Sequence, residues 1–319
     1  MSACVILAAG KGKRMKSHLP KVVHPVLGVP MVSRVLDSAR RAGITRSVVV
    51  VGYGKEHVIP IVEDFSADWR VQEEQLGTAH AVRCGMKDLE ADSVTVLRGD
   101  VPLIATATVR ELEASRRSAG AAIAVLTTRP PDAAGYGRIV RGPDDCLSAI
   151  VEHRDCTPDQ LGIDEINTGL MSFDGAVLPD LLSRIGTDND QGEYYLTDAV
   201  ELAVADGLKC IAVEAEDYME VSGVNNRIQL SRATECLRRR VVNRHMLDGV
   251  DIPDPRGVWI EESVKIGSGV ALGRNVRLSG ETVLEDGCIL GDGCILTDTR
   301  LPGGTRLEPY TVAGPEAEA

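Results

Sequence analysis

The chain has 319 residues, 44% hydrophobic and 26% charged, which suits a globular protein long enough for two domains and a core that needs no covalent staples. A formal net charge of −12 and an aromatic content of 3% argue against a nucleic-acid partner, which requires a basic surface or aromatic stacking platforms. Eight cysteines lie scattered without a C-x-x-C pair, the usage of free thiols rather than of disulfides or zinc; there is also no 18-residue apolar run and no basic and apolar leader, so the expectation is a cytoplasmic protein with no membrane partner.

The first element is a short apolar strand, Cys4-Val5-Ile6, followed by the loop Leu7 to Lys21 with Gly10 and Gly12 and five basic side chains, Lys11, Lys13, Arg14, Lys16 and Lys21. Glycines let backbone N–H groups approach an anion and cations neutralise it, so this stretch suits a polyphosphate. Neither common phosphate-loop pattern fits: G-x-x-x-x-G-K-[ST] is absent, and Met15 stands where G-x-G-x-x-G needs its third glycine. Taken alone, the stretch also reads as a basic surface loop. Next come a helix over Met31 to Ala42, with Pro30 before it and Gly43 behind it, and a strand over Ser47 to Val51. A helix over Thr78 to Lys87, a strand over Ser93 to Leu97, a helix over Thr106 to Arg117 and a strand over Ala121 to Leu126 follow. A helix over Glu193 to Ala205 and a strand at Cys210 to Val213 close the series. Such alternation predicts an α/β domain with a mostly parallel sheet over residues 1–226.

Arg227 to Leu247 contains no Gly or Pro and has apolar residues at Ile228, Leu230, Ala233, Leu237, Val241 and Val242, which predicts a linking helix within residues 227–250, with Arg238 to Arg240 as a solvated face. The period then changes to six. Ile260, Ile266, Leu272, Leu278, Leu284, Leu290 and Leu296 are equally spaced, with Val264, Val270, Val276, Thr282, Cys288 and Cys294 four places after the first six. Hexads of this kind form the sides of a left-handed parallel β-helix, here short and assigned to residues 251–319. The pattern is expected to fail at Pro302-Gly303-Gly304, and Gly314 to Ala319 to be an unstructured acidic end.

Asp100 follows the apolar strand Ser93 to Leu97, at the carboxyl end where open α/β sheets bind ligands; its hard oxygens suit Mg²⁺, although a helix cap or turn is the commoner use of such a residue. The wider pattern carries more. Leu7-Ala8-Ala9-Gly10 through Pro20-Lys21, Gln72 through Ala81, Gly99-Asp100-Val101-Pro102-Leu103, Gly135-Tyr136-Gly137-Arg138-Ile139, Ile150 to His153, Glu165 to Gly169, Gln191 to Asp198 and Gly223 to Arg227 together resemble the sugar-nucleotide pyrophosphorylases. Within them the order and spacing are similar to the bacterial N-acetylglucosamine-1-phosphate uridyltransferases, the first half of a bifunctional enzyme, over residues 3 to about 300.

The resemblance implies a Rossmann-like nucleotidyltransferase domain that joins UTP to a sugar 1-phosphate with Mg²⁺ and releases pyrophosphate. It implies that Arg14 and Lys21 are the catalytic cations, that Leu7, Ala8, Ala9, Gly10, Gln72, Gln75, Gly77 and Thr78 bind the nucleotide, and that Gly137, Glu152, Asn167, Thr197 and Asn225 bind the sugar. Asp100 and Asn225 would hold the metal. A homotrimer through the β-helix is the assembly the resemblance implies. His80 reads as a packed or capping histidine.

Three departures from the family pattern stand out. Lys13 replaces the usual Thr, Arg98 stands where a Tyr or small residue commonly precedes Gly-Asp, and Asp188 and Asp190 replace asparagines. Lys13 and Arg98 are therefore the candidates for altered substrate choice. The residues matching the family's acetyltransferase sites are missing, so acetyl transfer is expected to be absent. The alternatives are the same reaction with another nucleotide or sugar phosphate, and a sugar-nucleotide-binding regulatory protein without turnover.

Overall fold

The computed structural model describes residues 1–315; the last part of the expected acidic end, residues 316–319, lies outside them. The chain divides into two compact units, one comprising Met1–His24 and Val29–Gln229, the other Pro25–Gly28 and Leu230–Ala319.

In the first unit, β1 (Ser2–Ala8), β2 (Arg46–Val51), β3 (Asp68–Val71), β4 (Ser93–Arg98), β5 (Ile123–Thr128), β6 (Arg138–Arg141), β7 (Leu147–Val151), β8 (Ile166–Asp174) and β9 (Cys210–Glu214) form one sheet. Its main path runs β9-β5-β8-β4-β1-β2-β3, with the β6–β7 hairpin attached beside β8. β1 pairs in parallel with both β2 and β4, β2 with β3, and β9 with β5, whereas β8 is antiparallel to β4 and β5. The sheet is mostly parallel, as the alternation predicts. Both faces of β1 are buried: Ala3 and Val5 pack into one core, Cys4, Ile6 and Ala8 into the other. A strand covered on both sides has no reason to alternate polar residues, hence the unbroken apolar run.

The longer helices are α1 (Met31–Arg41), α2 (Lys55–Asp64), α3 (Thr78–Gly85), α4 (Thr106–Ser118), α5 (Leu178–Arg184) and α6 (Asp198–Ala205). α1 buries Val32, Val35, Leu36 and Ala39, one stripe at helical spacing. The helix expected from Glu193 starts only at Asp198. Residues 193–195 carry no regular structure and residues 196–197 form a turn instead; Tyr194 N–H donates to Leu76 O at 2.8 Å, Ala79 N–H to Tyr194 O at 2.9 Å and Leu196 N–H to the Thr78 hydroxyl at 2.9 Å. Tyr194 O, which a helix starting at Glu193 would have paired with Asp198 N–H, is thus taken by a distant segment.

The helix expected to link the domains is α7 (Arg227–Leu247), which from Leu230 onward falls in the second unit. Arg239 and Arg240 are exposed, but Arg238 is buried in the second unit: its guanidinium donates to Pro255 O and Val258 O at 2.6 and 2.8 Å and pairs with Glu235. The solvated face expected for this cluster excludes Arg238, whose hydrogen bonds compensate its burial.

Beyond it, short strands stack in three parallel columns, forming a three-sided β-helix. Ile260 lies under Leu278, Leu278 under Leu296, and Leu296 under Ala313. The coils do not stop at Pro302. Arg300–Leu301, Arg306–Leu307 and Val312–Ala313 each add a strand to a column. Coils step by 18 residues, as from Ile266 to Leu284, until the step from Leu284 to Leu301 shortens to 17. One residue is missing at the corner after Leu296, where Asp298 takes a left-handed conformation with φ 47°. The deletion shifts the hexad phase without interrupting the stack. Among the described residues no helix is long and apolar enough to cross a membrane.

Candidate active site

The chain lays down β1, β2 and β3 in one direction and then returns past β1 to place β4 on its other side, so the carboxyl ends of β1 and β4 border the switch point of the sheet. Loops leaving adjacent strands there diverge and open a crevice. A cleft of about 410 Å³ lies at this place, lined on the β1 side by Leu7, Ala8, Ala9 and Gly10 and on the β4 side by Arg98 and Asp100.

Lys21 reaches the cleft because its loop doubles back. Gly12 holds φ 57°, and a Cβ there would come within 2.7 Å of Lys21 Cβ, so the loop closes over Lys21 only with a glycine at that point. Gly10, by contrast, has open space around it. Of the two glycines in the loop, the steric requirement falls on Gly12. Arg14 sits in the turn Lys13–Met15 and is exposed, as is Lys13; neither lines the cleft, although the positive field of Arg14 reaches Lys21.

At the floor, Lys21 Nζ donates to Asp100 Oδ2 and, at 2.9 Å, to Asn225 Oδ1, while Arg98 donates to the same Asp100 oxygen at 3.1 Å. Burial by itself would raise the Asp100 pKa, but Arg98 and Lys21 hold it down at about 2, so the carboxylate stays charged. Burial lowers the Lys21 pKa against the opposing pull of Asp100. Asp100 Oδ1 is buried with no hydrogen-bond partner. A buried, ionised carboxylate oxygen left unpaired is costly, and it fits a cation as the missing partner. Asn225 Oδ1, converging on the same ammonium, offers a second hard oxygen. Among the described residues no group of three or more His, Cys, Asp or Glu could hold a metal, so a cation here would take its other ligands from water or phosphate, the habit of Mg²⁺.

The wall beside β3 carries Gln72, Gln75, Gly77 and Thr78. Gln72 is 3% exposed. Gly77 has φ 114° and sits so close to the 194–196 segment that a Cβ would meet Tyr194 O at 2.5 Å. The opposite wall brings together Gly137, Glu152, Asn167 and Thr197. Burial raises the Glu152 pKa, with the Thr197 hydroxyl donating to its Oε1 at 3.4 Å. Asn167 accepts from Gly169 N–H at 2.8 Å through its Oδ1. β8 is irregular between Asn167 and Met171, and a Cβ on Gly169 would fall 2.8 Å from Arg98 Cδ. The bulge thus makes the slot in which Arg98 lies.

Of the residues singled out from the sequence, the cleft gathers those of both walls together with Lys21, Asp100 and Arg98; Asn225 joins through Lys21, and Arg14 and Lys13 stand outside. The cleft also uses Gly135, Tyr136, Gly169, Met171, Glu193 and Leu196. Most of these lie inside the motifs that carry the resemblance but offer no chemistry of their own; Met171, a β8 core residue, carries no signal.

The fold and this cleft define a protein of the nucleotidyltransferase class. Residues 4–158 match the MobA-like NTP transferase domain. The solved structure of a UDP-glucose pyrophosphorylase complexed with UDP-glucose shares the fold with a TM-score of 0.60, over 75% of this chain and 99% of that one, at 16% identity. Within the class, the chain belongs to the family of the proteins named Bifunctional protein GlmU. It is 47% identical to that of Geobacter sulfurreducens over 272 residues, which cover 83% of this chain and 56% of that protein. Against the Streptomyces avermitilis protein identity is 44%, with the same coverages, and against one from Clostridium botulinum it is 42%, over 84% and 59%. The chain spans little more than half the length of these relatives.

Proposed function

We propose that this chain transfers UMP from UTP to N-acetylglucosamine 1-phosphate, giving UDP-N-acetylglucosamine and pyrophosphate. The observation that carries the reading is the floor of the cleft, where Lys21, Asp100 and Asn225 converge and one oxygen of a charged, buried carboxylate faces no partner. A site with a fixed cation and a hard-oxygen pair, between one wall of amides and another of sugar-compatible acceptors, suits the joining of two phosphates.

A phosphate oxygen of the sugar 1-phosphate attacks the α-phosphorus in line; the new P–O bond forms as the bond to the β-phosphate oxygen breaks, and pyrophosphate carries off the electron pair. Both reactants are anions, so the main tasks are to align them and to stabilise charge on the leaving group. Lys21 holds the two phosphates together, and Arg14 takes up the triphosphate when the loop meets its ligand. Asp100 and Asn225 would hold Mg²⁺, which when bound neutralises phosphate charge and fixes oxygen positions. Leu7 to Gly10, Gln72, Gln75, Gly77 and Thr78 seat the nucleotide; Glu152 accepts from sugar hydroxyls, and the Asn167 NH₂, its oxygen already used, donates to the acetamido carbonyl. Assembly as a homotrimer through the β-helix belongs to the same reading.

A second substrate reading has one observation in its favour. Arg98 lines the cleft next to Asp100 and lies in the field of Glu152, so it adds a cation on the sugar side that would suit a sugar phosphate with a further anionic group. Pyrophosphate release measured for each common nucleoside triphosphate against a panel of sugar 1-phosphates tests both. The expected best pair is UTP with N-acetylglucosamine 1-phosphate. Release only with an acidic sugar phosphate would move the assignment to the second reading, and no release with any pair would overturn the function.

A further inference from the structure

His80, in the first turn of α3, stands behind Gln72 of the cleft wall, a place that the packed or capping reading does not describe. Gln72 Nε2 lies 3.2 Å from Gly77 O and 3.1 Å from His80 Nδ1. A carbonyl can only accept, so Gly77 O sets which end of the Gln72 amide is the NH₂. His80 Nδ1 must then accept the second amide hydrogen, which requires a neutral ring with its proton on Nε2. On that far side stands the Cys84 sulfur, 3.8 Å away. With both amide hydrogens taken inside the protein, Gln72 has only its carboxamide oxygen left for a ligand, and Gln72 lines the cleft.

We infer that His80 is a positioning residue for nucleobase choice: it locks Gln72 so that the nucleotide wall presents an acceptor alone, which selects a base offering an imino N–H. The inference rests on the nucleotidyltransferase reading above. Uracil carries such an N–H at N3. Cytosine carries a lone pair at the same position, which would face the Gln72 oxygen with no hydrogen between them. Sites that read a donor in this way reject the base lacking it, because a buried acceptor is left unpaired. Without His80, one amide hydrogen is released and the carboxamide is anchored at a single point, so it can turn and offer its NH₂ to cytosine.

His80→Leu removes the acceptor while keeping an apolar side chain, and His80→Asn keeps an acceptor near the Nδ1 position. Pyrophosphate release with UTP and with CTP separates kcat from KM for the wild type and both variants, and calorimetric titration with UDP and CDP reads the same preference without turnover. His80→Leu is expected to raise KM for UTP about tenfold, leave kcat within about twofold, and lower the UTP over CTP preference about tenfold, with His80→Asn restoring most of that preference. An unchanged preference in His80→Leu, or an equal loss with both nucleotides that His80→Asn does not restore, would overturn the inference while leaving the function standing. A wild-type protein that releases no pyrophosphate would instead overturn the function, and the UDP and CDP titrations would still decide the role of His80.

Discussion

Asp100 in the α/β unit and Asp286, Asp292 and Asp298 in the β-helix place the same carboxylate in opposite settings. Asp100 is 4% exposed, shares one oxygen between two cations and leaves the other unpaired. The three β-helix aspartates sit at corners, where each Oδ1 accepts from a backbone N–H of the preceding coil at 2.8 Å: Ser268, Arg274 and Glu281 respectively. One carboxylate is singular and only partly satisfied; the others repeat a local bond in water. Strain concentrated at one point is what a binding site requires, whereas a repeat spreads its stabilisation so that no single link is decisive.

The largest test of this contrast removes a cation, either Lys21 at the floor of the cleft or Arg14 in the loop that leads to it. Lys21→Ala or Arg14→Ala should lower kcat for pyrophosphate release by about 10²–10³-fold, the usual cost of losing a donor that meets transition-state charge, with the fold retained by circular dichroism. Asp292→Ala in the same assay should turn over normally. Comparable losses in all three would erase the distinction between the regions.

Gly77→Ala comes next, because it forces a side chain into a left-handed backbone against Tyr194 O. A loss of about 1–3 kcal/mol in denaturant unfolding is expected, together with a raised KM for the nucleotide. Wild-type stability would show that the 76–79 and 194–196 segments are not clamped as described.

Asp198, at the first turn of α6, supplies a pH test. Burial raises its pKa to about 6, aided by Glu201, Glu152 and Asp155. A carboxyl whose folded pKa lies above its unfolded value binds its proton more tightly when folded, so its contribution falls as pH rises from the ordinary carboxylate range through about 6. Asp198→Asn should therefore stabilise the protein at pH 7.5 by about 1 kcal/mol, after allowance for solvent screening, and make no difference at pH 3. Equal effects at both pH values in thermal unfolding would refute the assignment.

The smallest effect belongs to the repeat. Asp292→Ala is expected to cost about 0.5–1.5 kcal/mol, one exposed charge-assisted bond, in thermal unfolding. A collapse of the whole β-helix would mean that the corner aspartates are not redundant.

Much of this was legible in the chain because the signals were periodic or clustered. The apolar runs at Ser47 to Val51 and Ser93 to Leu97, the hexads from Ile260, and the basic loop all report local constraints. Residues 193–197 misled because their hydrogen bonds go to a segment more than a hundred residues away. Arg238 misled because a buried guanidinium and a solvated one look alike until their carbonyl partners are located. The hexad phase was lost at one deleted residue, which only column pairing restores.

The sequence by itself determined the two architectures and the types of side chain offered to the cleft, since alternation, hexads and motif spacing follow from backbone periods and chain order. Only the tertiary structure decided how those side chains are shared. It put Lys21 and Arg98 on one carboxylate oxygen, set Asn225 against Lys21, and left the second oxygen bare. It also turned Gln72 by way of Gly77 and His80, and kept Arg14 outside the cleft. Charge sharing, burial and hydrogen-bond polarity depend on distances between residues far apart in the chain, and no local pattern encodes those distances.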